Sequence, residues 1–516
     1  MVLRRSGEEK MGECVMRKQY HRVWDIMAEI IAALYRAGYG DTRKIDSFLS
    51  CCTQTRRKLL CKVQRILGEK GVFEGIDDRF LERLINLRGE LDENELLLET
   101  LIYLDNKMAL EPKFFMVHPG DEVSDMIQLN NNEKQTGIII LPKLTCNWSR
   151  KRTSRRVKEK SLAFGINKIL RHYYCVQCEK LGQYSLRHHI VSSIKRFGED
   201  MEQIRIAVSP VTDRDILRYE RYERDGKARI GITGVDAQGD GKSCDLQRRM
   251  ENIIRAAEKH KADILIFPEM LGHEEVIDRC LYQLAEKSVE DVDGRVELVL
   301  LPTQWKAAGI GDTPWKYGKN TNNLYVVYGS SGLLKEKPEP SWIQQKNTPY
   351  TEEREESGKQ ISEVEDIVSD NVIHVLHIEG IGRITFPICA DLLNPDYRQI
   401  LIQQLGSTLI LCPSFSKGTN EFIHAIGQGD SFGCHIIWCN SCVTAHMHSE
   451  EKYKKGLKEN ICCAGISGQY HNYNTIKSQI KCNGVCAKDS CLFYIDIPLK
   501  GNVGDRRQPM WTHIIA

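Results

Sequence analysis

The hydrophobic pattern of this chain changes period near residue 200. Before that point, "YHRVWDIMAEIIAALYRAGYG" (20–40) repeats apolar residues at helical spacing and closes on Gly40, a C-cap residue. "DDRFLERLINLRGELDENELLLETLIYLDNKMAL" (77–110) continues the same spacing through one or two amphipathic helices, and "GIIILPKL" (137–144) is a short buried strand or core segment. After it, short β-rich runs alternate with helical stretches: "IRIAV", "ARIGITGV", "DILIFP", "VELVLLP", "NNLYVVYG", "VIHVLHI", "RITFPIC", "TLILCP" and "HIIWCN". "CDLQRRMENIIRAAEKHKA" is an amphipathic helix between two of them. Strands separated by helices argue for an α/β layered domain. The boundary is placed at 195–225, where "ERYERDG" is polar and turn-prone, giving a mainly helical accessory domain over 1–199 and an α/β domain over 200–516. The acidic stretch "TEEREESGKQISEVED" (351–366) reads as a solvated loop or helix.

Totals narrow the function classes. A length of 516 residues is too long for one core. A net charge of +2 gives no global pull toward nucleic acid or anionic membrane, so any such pull must be local. No apolar run approaches the ~20 residues of a spanning helix. The first twenty residues carry no apolar stretch behind their basic ones, so no signal peptide is read there. A cytoplasmic protein without membrane contact is expected, and its 19 cysteines are read as reduced thiols.

Three strand-end segments supply reactive groups. In "KADILIFPEM" the strand stops at Pro268, and Glu269 projects from its carboxyl end. Ile266, Phe267 and Met270 would desolvate that carboxylate and raise its pKa toward the range of a general base. "SWIQQKNTPYTEERE" offers Lys346, with Glu352 and Glu353 downstream. "GRITFPICADLLNP" places Cys389 at a strand-to-turn junction that substrate can reach, where a nearby base and ammonium would favour the thiolate. Each alone has a plain structural reading: core filling for the Cys, solvation for the Lys, turn chemistry for Pro-Glu.

In the order Glu, Lys, Cys, these segments resemble the nitrilase superfamily of carbon–nitrogen hydrolases. "ILIFPEM" is similar to the family's Glu motif, and "GRITFPICADLLNP" to its Cys motif with Cys-x-Asp. "ARIGITGVDAQ" with "LQRRMENIIRAAEKHKADILIFPE" resembles its first strand and helix. "YRQILIQQLGSTLILCPSFSKG" and "HAIGQGDSFGCHIIWCNSC", ending its strand on Asn440, resemble later helix–strand units; the likeness runs over about 228–500. It implies a four-layer α-β-β-α sandwich in 200–516, beside the helical amino-terminal domain. It also implies cleavage of an amide or nitrile C–N bond through a thioester, without metal or cofactor, and homodimers or higher homo-oligomers. Glu269 would be the base and Cys389 the nucleophile. Lys346 and the backbone N–H of Ala390 would stabilise the oxyanion, with Glu352, Glu353 and Asp391 in support. Lys337, eight residues past Gly329, is the alternative lysine, although Pro338 and Pro340 follow it.

Other motifs carry less. "CVQC" (175–178) with His188 and His189 lacks zinc-finger spacing, and "GDGKS" (239–243) lacks that of a phosphate loop. His446 and His448 follow the Asn440 strand, and read either as substrate contacts or as part of a surface loop. The basic run 150–160, with Arg150, Lys151, Arg152, Arg155, Arg156 and Lys158 beside Trp148, reads first as a solvated linker or helix face and second as a candidate nucleic-acid contact. The second reading is therefore a catalytically silent nitrilase-fold assembly or sensor protein that binds nucleic acid or a partner protein through that run. Nitrilase-like domains also occur fused to modules of antiphage defence, so a bacterial defence effector is a further expectation.

Overall fold

The computed structural model describes residues 5–51, 53–67, 76, 79–86, 92–108, 123–126, 130–143, 165–191, 202–211, 217–224, 226–235, 242–290, 295–307, 320–330, 333–356, 358–416, 420–430, 432–442, 444, 460–466, 476–481, 491–498 and 511–515. The basic run 150–160, His446 and His448 lie outside them.

The fold is mixed α/β with several sheets. One eight-stranded sheet runs, in spatial order, Val123–Met126, Ser185–Val191, Val372–Ile378, Gly382–Thr385, Leu409–Ser414, His435–Asn440, Asn460–Ile466 and Ile476–Lys481. The other runs Gln304–Ala307, Asn320–Tyr328, Leu298–Leu300, Ile264–Ile266, Gln203–Val208, Cys491–Pro498 and Thr512–Ile515, with Trp342–Gln345 also paired to Asn320–Tyr328. Strand alternation decides what each sheet covers. Ile206, Ile264, Ile266 and Leu298 share a core with Val375, Ile384 and Leu409 of the first sheet. Ala207, Leu265 and Val299 point the other way, onto Met250, Ile254, Ile277 and Leu281 of the helices Lys242–Lys259 and Glu274–Glu290. Each fully buried Leu or Ile in these layers stabilises by about 1.5–3 kcal/mol.

Helices Arg5–Arg36, Thr42–Ser50, Thr53–Leu67, Phe80–Asn86 and Glu93–Lys107 surround a second core that includes Met27, Ile31, Phe48, Leu59 and Leu101. Asp41 and Asp92 cap two of them, each carboxylate accepting from first-turn N–H groups. This amino-terminal part is neither wholly helical nor separate from the rest. In the two-stranded ladder Ile138–Pro142 and Tyr173–Gln177, Ile138, Ile140, Tyr173 and Cys175 face the helical core. Ile139, Leu141, Tyr174 and Val176 face the sheet core. Ser185–Val191 then pairs in parallel with Val372–Ile378, His188 opposite Val375. The boundary expected at 199/200 is thus not a break between cores.

Two local expectations change in the fold. The strand beside Ile264–Ile266 is Gln203–Val208, in the register Ile206 opposite Ile264, whereas "ARIGITGV" lies in a separate four-stranded sheet. There Lys227–Val235 pairs with Leu217–Arg224, so the polar "ERYER" is strand, with Gly226 at φ 67° before the return strand. The acidic stretch forms the other hairpin, Thr351–Glu356 with Lys359–Glu365, turning through Gly358 at φ 76°. Alternating charged residues suit a ladder whose carboxylates find arginines: Arg221 meets buried Glu363 at 2.9 Å, and Arg224 meets buried Asp366 at 2.6 Å.

Candidate active site

Glu269 follows Ile264–Ile266 after Phe267 and Pro268 and is fully buried. Met270, at φ 68°, turns the chain away, its N–H donating to Thr303 Oγ1 at 2.8 Å. Glu269 Oε1 accepts from Lys346 Nζ and Asn322 Nδ2, both at 2.8 Å, and Oε2 accepts from Phe415 N at 2.9 Å. Three of its four or so acceptor sites are thereby filled, and the carboxylate keeps one orientation.

Lys346 leaves the end of Trp342–Gln345, its N–H donating to Asn322 O at 2.9 Å. Its side chain is wholly buried, and Nζ also reaches Glu365 Oε2 at 2.6 Å. Glu365 is held in turn by Tyr350 N at 2.9 Å. An ammonium has three N–H bonds; two are taken here, and one remains for a ligand. Lys337 lies elsewhere, its exposed side chain 3.6 Å from Asp278.

Cys389 closes the segment after Gly382–Thr385 at φ 47°, ψ −105°, the left-handed side that favours glycine. Such strain persists only where neighbours enforce it: Cys389 N donates to Pro413 O at 2.9 Å, and its Sγ lies 4.0 Å from Phe415 O. Ala390 opens the short helix Ala390–Leu393, so its N–H has no acceptor inside that helix. Asp391 ties the segments together. Its Oδ1 accepts from Asn347 N at 2.9 Å and Thr348 N at 2.6 Å, just past Lys346, while Oδ2 accepts from Ile388 N at 3.0 Å. Asn440 does the same for the opposite rim, pinning Ser416 through its main-chain N and O at 2.9 Å each.

Burial sets the protonation pattern. Desolvation raises the Glu269 pKa, against the pull of Lys346 and with the repulsion of Glu365. Burial would lower the Lys346 pKa, but Glu269 and Glu365 reverse this and hold it well above its usual range. The Cys389 pKa is raised well above the usual thiol value, first by burial and then by the Glu269 charge, which Lys346 only partly offsets. Burial and the Glu269 charge thus favour the thiol at Cys389 over the thiolate expected from a nearby base and ammonium. Asp391 is pushed up to about 7 by burial, despite its backbone N–H donors.

The structure thus brings Glu269, Lys346, Cys389, Ala390 and Asp391 to one place and leaves Lys337 outside it. It also moves the supporting carboxylate. Glu352 is half-buried and Glu353 exposed on the outer hairpin strand, while Glu365, at the end of the return strand, meets the ammonium. Counting residues forward from Lys346 finds Glu352 and Glu353 first, whereas hairpin pairing returns Glu365 to the level of Tyr350. Asn322 was also missed; only its place on the strand next to Trp342–Gln345 marks it. The other motif residues have different partners. Cys175 contacts Tyr35 Oη at 3.7 Å, Cys178 contacts Glu133 at 3.5 Å, and His188 and His189 pair with His377 and His374 at 2.9 and 2.7 Å. No described helix is long and apolar enough to cross a membrane.

No protein-family model matches the sequence, and no curated protein matches it. Among solved structures, the chain is similar to an amidase from Nesterenkonia sp. (13% identity over 59% of this chain and 94% of that one, TM-score 0.34). It is also similar to the NitFhit protein of C. elegans (12%, 58% and 61%, TM-score 0.32). A third likeness is to Saccharomyces cerevisiae Nit3, a member of branch 10 of the nitrilase superfamily (10%, 58% and 90%, TM-score 0.32).

Proposed function

We propose that this chain is a cysteine-dependent hydrolase of a non-peptide C–N bond in an amide or nitrile, built on a four-layer α-β-β-α sandwich. The observation that carries this reading is the fully buried pair of Lys346 with Glu269 and Glu365, set beside a strained cysteine that opens a helix. Two carboxylates sharing one desolvated ammonium gain little as a stability device; beside a nucleophile they supply a base and an electrophile.

With an amide, Cys389 Sγ attacks the carbonyl carbon as its proton passes to Glu269, so no free thiolate accumulates. The tetrahedral oxyanion takes the third N–H of Lys346 and the N–H of Ala390; one such donor is worth roughly 3 kcal/mol. The C–N bond breaks, and the departing nitrogen takes the proton from Glu269. Water, deprotonated by Glu269, then attacks the thioester; the carboxylic acid leaves and the thiol is restored. Asp391 is a positioning residue, coupling the turn after Lys346 to the turn before Cys389.

A panel of small amides and nitriles, assayed by ammonia release and by intact mass after acid quench, tests the reading. Turnover with an acyl adduct on Cys389, lost in Cys389→Ala and in Glu269→Gln, is expected. Turnover that survives Cys389→Ala would sink it, as would a substrate whose adduct maps to another cysteine.

A further inference from the structure

Charge is nearly balanced over the whole chain, at +2, yet one described helix is strongly one-sided. Thr53–Leu67 carries Arg56, Arg57, Lys58, Lys62 and Arg65 and no acidic residue. Arg56 is consumed internally, 3.1 Å from Glu99 and over the Phe48 ring. The other four have no carboxylate partner among the described residues; Arg57, Lys58 and Arg65 are exposed and Lys62 half-buried. At ~100° per residue, Arg57, Lys58, Lys62 and Arg65 fall within an arc of roughly 140°. Leu59, Val63 and Leu67 occupy the opposite side and are buried in the helical core. Lys58 and Lys62, at i,i+4, and Lys62 and Arg65, at i,i+3, repel one another, so the face lacks the intrahelical ion pairs that would stabilise it.

We infer that this face of Thr53–Leu67 binds the phosphate backbone of double-stranded nucleic acid. Its charge is complementary to a polyanion. From Arg57 to Arg65 the row spans ~12 Å at 1.5 Å per residue, and each of its four side chains can meet one phosphate of a duplex that carries one charge per ~1.7 Å of axis over its two strands. An anionic membrane fits less well, because an interfacial helix must bury its apolar side in lipid, and here that side is already in the protein core. The helix contains no aromatic residue on which an unpaired base could stack, which favours a duplex. The inference is independent of the hydrolase reading and places the contact on this helix, apart from the run 150–160.

The test is fluorescence anisotropy of labelled DNA and RNA duplexes of about 20 bp with the full chain over a salt series. Three to four phosphate contacts predict a log–log salt slope of roughly −3, a loss of about 40- to 150-fold between 50 and 200 mM salt. Arg57→Gln/Lys58→Gln/Lys62→Gln/Arg65→Gln should flatten that slope by about 3. Arg57→Lys/Arg65→Lys should keep it, and circular dichroism checks that both variants fold. The inference is overturned if no duplex binds or if the Gln variant keeps the slope. It also fails if neutralising 150–158 removes all binding while the Gln variant binds normally. Tighter binding of polyglutamate or of anionic vesicles than of either duplex would assign the face to an acidic protein or a membrane instead.

Discussion

Replacing Lys346 by Met removes the ammonium that the two buried carboxylates of the site share, while nearly preserving side-chain volume. Glu269 and Glu365 are each at most 1% exposed, with Lys346 Nζ at 2.8 and 2.6 Å. Breaking a buried pair by removing one partner costs about 3–5 kcal/mol, and here two carboxylates lose theirs. The cost must depend on pH. Without the ammonium, burial holds at least one folded carboxyl above its unfolded pKa of about 4.3, so the folded state binds one more proton than the unfolded state between those two values. Stability of the variant should then fall by about 1.4 kcal/mol per pH unit as pH rises through that window; because Glu269 is already raised in the wild type, the deficit relative to wild type grows only above the wild-type value and shrinks on acidification. Urea unfolding of both proteins from about pH 5 to about pH 8 measures this. A deficit under about 1 kcal/mol, or one that is flat with pH, would refute the buried network and with it the chemistry assigned to Lys346.

Three further outcomes follow from the same geometry. Glu269→Gln should abolish turnover yet speed iodoacetamide labelling of Cys389 at mildly alkaline pH, because the Glu269 charge holds the thiol proton in place; slower labelling, followed by peptide mass spectrometry, would contradict that. Asp391, pushed up to about 7, makes wild-type stability fall as pH rises from about 4 to about 7. Asp391→Asn should remove that component and cost about 1–3 kcal/mol through its mispaired backbone N–H groups, read from urea midpoints across pH. A chain beginning at residue 200 should fail to give soluble monodisperse protein. It lacks Ser185–Val191, which leaves Val372–Ile378 as an unpaired apolar edge; size-exclusion chromatography decides it.

The amino-acid sequence by itself determined what depends on neighbours along the chain. Apolar runs that end at Pro268-Glu269 and at Cys389 announce where strands stop and polar groups emerge, since a carboxylate inside a continuous apolar strand would be desolvated without a partner. The helical spacing of 20–40 and of 77–110 is likewise local. Tertiary structure alone decided what depends on pairing. Lys346 and Lys337 differ little as local sequence, but only one leaves a strand beside Asn320–Tyr328, within reach of Glu269. Glu365 reaches the ammonium because a hairpin folds it back past Glu352 and Glu353. The expectation that "ARIGITGV" rather than "IRIAV" lies beside Ile264–Ile266 fails for the same reason, because both are short, apolar and β-rich. The join between the amino-terminal helices and the sheets was hidden for the same reason. A two-stranded ladder with apolar residues on both faces can serve one core or two, and the partner that covers each face is chosen by packing across more than a hundred residues of chain.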